Sequence, residues 1–146
     1  MNLAAHLAGT WDVARDLRDA SGTGSFSGRA EFTPDGAGLR WIETGRARFG
    51  GHEGEARRAL GIVPAGEGWE VRFGDGRPFH ALDLRTGRWA AAHDCGADRY
   101  EGLYVLEGED ALAVTWRVRG PAKDQRIESR YRRRTRTGTS ATPGAS

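Results

Sequence analysis

The most regular feature of the chain is an alternation of apolar and polar residues with a period of two. It is plainest in the segments 25–32 and 111–119, where Phe26 and Phe32 share one parity and Glu31 lies on the other. Such a period places successive side chains on opposite faces of a β-strand. The pattern therefore predicts a chain built from half-buried strands.

Turn sequences rich in glycine and proline divide this alternation into about ten strands. Gly120-Pro121 is an example, because glycine adopts positive φ without steric cost and proline presets a turn φ. The predicted strands span 9–19, 24–33, 38–49, 55–64, 68–74, 77–84, 87–93, 100–107, 111–119 and 124–134. Leu3 and Leu7, spaced i,i+4, predict one short helical turn before the first strand.

Consecutive strands joined by tight turns form an antiparallel meander, and closure of ten strands into a barrel removes the exposed sheet edges. We therefore predict an all-β fold, an antiparallel up-and-down barrel of about ten strands. A chain of 146 residues accommodates one domain, which we assign to residues 1–136. Residues 137–146 contain no large apolar side chain and are predicted to form a disordered tail.

The composition excludes several classes of protein. No apolar run approaches the roughly 20 residues of a membrane-spanning helix, and the N-terminus lacks the pattern of a secretory signal. The expected protein is cytoplasmic and makes no membrane contact. Cys95 is the sole cysteine, which excludes an internal disulfide framework. The sequence does not select between a monomer and a homodimer.

The positive charge is concentrated near the C-terminus. The chain has 22 basic and 20 acidic residues, and the segment 126–136 holds six arginines against Glu128, so the remainder carries −3. A nucleic-acid-binding face usually spreads basic residues over a domain and interleaves them with aromatic side chains. We therefore predict a charged terminal strand and no specific recognition of nucleic acid.

Gly9-Thr10-Trp11, on the first strand after a short helical turn, is similar to the opening motif of the calycin superfamily. That superfamily includes lipocalins, fatty-acid-binding proteins and nitrobindin-like proteins. In lipocalins an arginine of the last strand packs across this tryptophan, and the resemblance implies that role for Arg130 or Arg132.

Several spaced motifs extend over nearly the whole chain: Phe32-Thr33-Pro34-Asp35-Gly36, Gly76-Arg77-Pro78-Phe79-His80, His93-Asp94-Cys95 followed by Asp98 and Tyr100, and Trp116-Arg117-Val118 with Gly120-Pro121-Ala122-Lys123-Asp124. Together they resemble domain-of-unknown-function family 6314, a group of small bacterial calycin-like proteins. Gln125 departs from the aromatic residue that the family pattern has after Lys-Asp. The resemblance implies a fold and no particular activity.

Parity also identifies polar side chains that share a strand face with apolar ones. Alternate residues line the interior of a barrel, and eight to ten strands enclose room for a small ligand. The candidate lining residues are Trp41, Glu43, Phe49, Arg58, His80, Trp89, His93, Tyr100 and Tyr104, with Lys123 at the barrel mouth. A few placed polar groups commonly orient a ligand in a mostly apolar pocket.

Each polar candidate has a structural and a functional interpretation. Glu43 and Arg58 form either a structural ion pair or a pair that orients a ligand, because burial of either charge alone is costly. His80 and His93 are either hydrogen-bonded wall residues or proton carriers. Cys95 is either a small buried side chain or a nucleophile.

The favoured hypothesis is a barrel that binds a partly apolar small molecule bearing a polar or acidic group. The alternative is a cofactor-independent isomerase, cyclase or lyase, in which His80 or His93 is the general base, Glu43 or Tyr100 the acid partner, and Arg58 the group that stabilises negative charge. His80, His93 and Cys95 together offer two nitrogens and one sulfur for a zinc ion, but their spacing does not match an established zinc-binding signature. Haem ranks lower, since the chain lacks the further glycines of the nitrobindin-like motif. We expect no metal or cofactor.

Overall fold

A computed structural model describes residues 2–136 and contains one short helix followed by ten antiparallel strands. The elements are α1 (Leu3–Leu7), β1 (Gly9–Asp19), β2 (Gly22–Asp35), β3 (Gly38–Phe49), β4 (His52–Ala65), β5 (Gly68–Phe73), β6 (Pro78–Leu82), β7 (Arg88–Cys95), β8 (Asp98–Leu106), β9 (Ala111–Gly120) and β10 (Lys123–Arg136). The predicted helical turn and all ten predicted strands are confirmed. The predicted tail, 137–146, lies outside the described residues. In the described part of the chain, no helix has the length and apolar character needed to cross a bilayer.

The strands form one sheet in the order β6-β5-β4-β3-β2-β1-β10-β9-β8-β7. Every strand pairs with its neighbours in sequence except β6 with β7, and the β1–β10 ladder joins the first and last strands. This is the predicted up-and-down arrangement, a nearly closed barrel. β6 and β7 are the two sheet edges and face each other across a seam, where the indole Nε1 of Trp89 donates to the Ala81 carbonyl oxygen at 2.7 Å.

The barrel is tightly packed at the end covered by α1. Leu3 and Leu7 bury their side chains there, and the Trp11 indole donates a 2.9 Å hydrogen bond to the Leu7 carbonyl oxygen. Trp11 meets Phe32 edge to face, and Phe32 in turn contacts Trp41 at a centroid distance of 5.0 Å. Large aromatic side chains bury much apolar area, so this end forms the principal core.

The arginine that covers Trp11 is Arg133, and the expectation of Arg130 or Arg132 was wrong. The Arg133 guanidinium carbon lies 4.2 Å from the Trp11 ring centroid, whereas Arg130 and Arg132 are exposed. Odd-numbered positions of β10 face inward, as the buried Tyr131 shows. In the regular part of the β1–β10 ladder Trp11 is directly opposite Arg133, and the register shift affects only Gly9 and Thr10, which precede it. Arginines occupy both parities of this strand, so parity could not distinguish the inward-facing arginine from its neighbours.

A glycine pair permits a close backbone approach on the inner face between β2 and β3. Gly28 and Gly45 are cross-strand partners. A Cβ on Gly28 would overlap the Thr44 carbonyl oxygen, and a Cβ on Gly45 would overlap that of Ser27. Only glycine fits such a close approach, which is common where a barrel wall bends sharply.

Candidate functional site

The inner faces of the strands change from buried to partly exposed along the barrel axis. On β3, Trp41 and Glu43 are buried, Ala47 is partly buried, and Phe49 is 39% exposed. On β4, Leu60 is buried, while the side chain of its inner-face neighbour Arg58 is 43% exposed. Exposure of the inner faces therefore increases from the end covered by α1 toward the opposite end, which we call the open end, and we call the inner surface that leads to it the cup.

A buried carboxylate, Glu43, lies at the base of this cup. Its Oε1 accepts hydrogen bonds from Arg15 Nη2 at 2.7 Å and from Arg58 Nε at 3.0 Å. Its Oε2 accepts from the Trp41 indole at 2.9 Å and from the Tyr131 hydroxyl at 2.5 Å. Four residues therefore donate to one carboxylate and hold it in a single orientation, which offsets the cost of burying its charge.

The electrostatic surroundings keep Glu43 ionised. Burial alone would raise the pKa of its carboxyl, but the charges of Arg58 and Arg15, together with the hydrogen bonds from Tyr131 and Arg15, outweigh this effect and leave the pKa below the usual value. Burial raises the pKa of the Tyr131 phenol, and the neighbouring Glu43 charge adds to that increase. Tyr131 therefore remains protonated and donates its hydrogen to the carboxylate.

Arg15, Ser129 and Tyr131 belong to this cluster and were not among the predicted site residues. Arg15 Nε donates to the Ser129 hydroxyl at 2.7 Å, and its Nη2 also contacts the Tyr131 hydroxyl at 2.9 Å. Arg15 lies on the same parity as the buried Trp11 and Val13, which is the sequence signal that identifies it. The sequence indicates the inward direction of Tyr131 less clearly than that of Arg15, since Tyr131 is flanked by arginines.

The cluster carries a net positive charge. Arg15 and Arg58 contribute two positive charges against the one negative charge of Glu43. Burial opposes the charged form of Arg58, yet the proximity of Tyr131 and Glu43 raises the pKa of its guanidinium. The contacts of Arg58 use Nε and Nη2, so within residues 2–134 its Nη1 has no hydrogen-bond partner. An accessible guanidinium therefore retains free donors above a buried carboxylate.

His80, the second buried polar group, is held by two hydrogen bonds. Its Nδ1 lies 2.7 Å from the Ala81 carbonyl oxygen, and its Nε2 lies 3.1 Å from the Tyr104 hydroxyl. A carbonyl only accepts, so Nδ1 carries the proton and Nε2 accepts from Tyr104. Burial lowers the pKa of His80, and the nearby His93 adds to this shift. The imidazole is therefore neutral near pH 7.

An aromatic wall occupies the seam side of the open end. Phe79 stacks between Phe73 at 4.5 Å and Trp116 at 5.1 Å, as measured between ring centroids. His93 and Tyr100 meet the Phe79 ring edge to face. A register shift between Val71 and Arg72 leaves Phe79 without a strand partner and accounts for its position beside His80 on the inner side.

The other predicted residues lie around the cluster at different depths. Tyr104 is buried beside His80, and burial raises the pKa of its phenol. Trp89 is at the seam, and Phe49 is at the rim of the open end. Lys123 begins β10 at the same end and lies 3.4 Å from the Asp98 carboxylate. The structure therefore unites Trp41, Glu43 and Arg58 in one cluster and does not bring Lys123 or Phe49 into it.

The three residues considered as zinc ligands, His80, His93 and Cys95, differ in their exposure to solvent. Cys95 is exposed, whereas His80 is buried and His93 lies among aromatic rings. Among the residues that the structure describes, no three side chains of His, Cys, Asp or Glu are grouped closely enough to hold a metal ion.

Comparisons with known proteins identify a fold and a family. The S-type phycobiliprotein lyase CPES from Guillardia theta is similar, with a TM-score of 0.68, 9% identity and 90% coverage of each chain. A de novo designed fluorescence-activating β-barrel gives a TM-score of 0.52 at 17% identity, with 92% of this chain and 99% of that chain covered. No curated protein matches the sequence. Residues 7–133 match the model of a family described as a family of unknown function (DUF6314).

Proposed function

The chain belongs to the DUF6314 family of unknown function, and for this member we propose a role as a small-molecule-binding barrel. The ligand enters the open end, keeps its apolar part between the barrel walls and directs an acidic group toward Arg58. The fold similarity to a phycobiliprotein lyase and to a fluorescence-activating barrel is consistent with this role.

The observation that carries the proposal is the excess positive charge at the base of the cup. Arg15 is held by Glu43, Ser129 and Tyr131 and has a side chain only 14% exposed. Arg58 shares the same carboxylate but is 43% exposed and retains free N–H donors. An anionic ligand group would neutralise the remaining charge, and a guanidinium matches a carboxylate in a two-point hydrogen bond.

The walls above this base suit an apolar ligand body. On one side, Phe73, Phe79 and Tyr100 are partly exposed aromatic residues. On the other side, Ala47 and Ala56 add small, partly buried apolar side chains on the β3–β4 ladder. Mostly apolar walls with a few convergent polar groups are typical of sites for small molecules.

The histidines favour binding over proton-transfer catalysis. Both ring nitrogens of His80 are engaged, one by Ala81 and one by Tyr104, so this imidazole has no free lone pair for a substrate. His93 contacts aromatic rings and has no hydrogen-bond partner within the described part of the chain that would orient it. A general base needs both a reachable substrate proton and an orienting partner.

The proposal is tested with 1-anilinonaphthalene-8-sulfonate, a fluorescent aromatic anion, as the probe. We expect saturable binding of about one probe per chain, displaced by dodecanoate and not by dodecanol. Arg58→Gln weakens probe binding about tenfold or more, as expected for loss of a charge-assisted hydrogen bond. The matched control, Arg57→Gln, removes a neighbouring arginine that is exposed on the outer face and leaves the affinity unchanged.

Equal displacement by dodecanol, or equal affinity of the Arg58 and Arg57 variants, would refute the proposal. A haemin titration accompanies these measurements, because His93 has free ring nitrogens that an iron porphyrin would require. We propose that no cofactor is involved, so no Soret shift that depends on His93 is expected. A shift lost in His93→Ala would make haem the better assignment.

A further inference from the structure

A basic stripe crosses the outer surface of the barrel, on the opposite side of the wall from the cup. Two adjacent cross-strand rows run from β10 through β1, β2 and β3 to β4. The first row is Arg132, Asp12, Arg29, Thr44 and Arg57, and the second is Arg130, Ala14, Ser27, Arg46 and Glu55. All ten residues are exposed. With the adjacent Arg134 they define what we call the outer stripe.

The outer stripe has a large uncompensated charge. It contains six arginines against Asp12 and Glu55, a net charge of +4. Arg134 lies 3.6 Å from Asp12, and Arg46 contacts Glu53 beyond the stripe. Within the described residues, no carboxylate lies within 4 Å of the side-chain nitrogens of four stripe arginines, which are Arg29, Arg57, Arg130 and Arg132.

The opposite side of the barrel shows that this excess is not a general property of the surface. Six arginines there each lie within 4 Å of a carboxylate: Arg72, Arg77, Arg85, Arg99, Arg117 and Arg119. Their partners come from nearby strand or turn positions, such as Asp83 for Arg85 at 2.6 Å. A seventh arginine on that side, Arg88, has no carboxylate within 4 Å among the described residues. Residues 66–122 nevertheless contain seven arginines against ten acidic residues, a net charge of −3, so positive charge is concentrated on strands β10 to β4.

The surface of the outer stripe is shallow and free of apolar anchors. Ala14, Ser27 and Thr44 lie between the arginines, and two surface depressions meet at Asp12 and Gly28. Within residues 2–134, Phe49 is the one exposed large hydrophobic residue, and it lies at the rim of the open end. Protein partners and membranes usually require aromatic or aliphatic anchors, and unpaired bases require aromatic stacking platforms.

We propose that the outer stripe binds the phosphate backbone of a nucleic-acid duplex without sequence specificity. Arginine forks match phosphate oxygens, and duplexes present a dense row of such charges that needs no apolar contact. The stripe follows the curved barrel wall over four strand spacings, an arc of about 19 Å across five of the ten strands, so one duplex contacts the arginines of neighbouring strands and not all of them at once. The inference depends on the outer face alone and is independent of ligand binding in the cup.

The experiment is an anisotropy titration of the full chain against a fluorescein-labelled 20-base-pair DNA duplex at 50–200 mM salt. With about four phosphate contacts, affinity falls about 100-fold over this range. The triple variant Arg29→Gln, Arg57→Gln, Arg132→Gln reduces affinity at 50 mM salt at least tenfold and flattens the salt dependence. A second duplex of unrelated sequence binds equally well.

The matched control is the triple variant Arg85→Gln, Arg99→Gln, Arg119→Gln, which removes the same total charge from the opposite side. It retains at least half of the affinity, and circular dichroism establishes that both variants are folded. Equal losses in the two triple variants would attribute binding to net charge and overturn the proposal. Absence of duplex binding at 50 mM salt, or equally tight binding of polyglutamate, would also overturn it.

Discussion

Glu43 and Arg58 are directly opposite each other in the β3–β4 ladder, and the guanidinium Nε lies 3.0 Å from the carboxylate Oε1. The same carboxylate also binds Arg15, which reaches it from β1. Two strands that are not neighbours in the sheet are thereby joined through the barrel interior. Glu43 thus links β3 to β1 inside the barrel and also determines the orientation of Arg58 toward the open end.

Replacement of Glu43 by Gln should strongly destabilise the protein. The variant leaves Arg15 and Arg58 close together without their shared counter-ion, and loss of one partner of a buried pair costs about 3–5 kcal/mol. Because Arg58 is partly solvated, we expect the lower end of this range, as measured by urea unfolding. The control Glu53→Gln affects an exposed ion pair with Arg46 and leaves the unfolding free energy nearly unchanged. Similar losses in both variants would contradict this role.

The stability should also depend on pH through Glu43. Its pKa in the folded state is lowered below the usual 4.5 because Arg58, Arg15 and the hydrogen bond from Tyr131 together outweigh the effect of burial. The folded carboxyl therefore releases its proton more readily than the unfolded one, and its contribution is fully present above pH 4.5. As the pH falls below 4.5, this contribution is lost. The difference in unfolding free energy between wild type and Glu43→Gln should therefore shrink with acidification, and a constant difference would refute the assignment.

His80 makes a second pH-dependent contribution in a different range. Burial lowers its pKa from 6.5, so the folded protein binds this proton less readily than the unfolded chain. The contribution of neutral His80 to the unfolding free energy is fully present above pH 6.5 and declines as the pH falls toward the lowered pKa. His80→Gln retains a hydrogen-bonding side chain without the titration and should reduce the decline between about pH 7 and 5.5. His52→Gln, at an exposed position, should leave the decline as it is in wild type.

The sequence predicted the architecture well because its alternation and turns are local signals. Each of the ten strands has its boundaries within three residues of those predicted. The opposite placement of Glu43 and Arg58 follows from regular parity on β3 and β4, which pair without a register shift. Local periodicity is sufficient where a ladder is regular.

The rest of the site depends on contacts and irregularities that local patterns do not contain. Arg15 meets Glu43 across 28 positions of sequence, and its shared parity with Trp11 and Val13 indicates its inward direction but not its partner. The position of Phe79 beside His80 arises from a bulge. Arg133 is opposite Trp11 in the regular part of the β1–β10 ladder, but the pairing of the first strand with the last is not a local signal, so this contact required the three-dimensional structure.

Gly45→Ala tests whether the β2–β3 wall requires the close approach seen between its backbones. A Cβ at this position overlaps the Ser27 carbonyl oxygen and the Cα of Gly28, and these backbone atoms are held by the ladder. Forced shifts of this kind typically cost about 1–3 kcal/mol, which urea unfolding measures. The control Gly51→Ala lies in a turn where an added Cβ meets no atom within 4 Å, and it should be neutral. Equal stability of the two variants would show that the wall relaxes freely.

Arg133→Ala should weaken the attachment of β10 to the helix-capped end. The guanidinium stacks 4.2 Å from the Trp11 ring centroid and donates to the His6 carbonyl oxygen at 2.6 Å, with its side chain only 5% exposed. A desolvated cation–π contact and its accompanying hydrogen bonds together contribute about 2–4 kcal/mol. We expect a loss of that size in urea unfolding and a change in Trp11 fluorescence. Arg132→Ala, one position away and exposed, should change neither quantity, and a comparable loss there would assign the effect to charge instead of to the contact with Trp11.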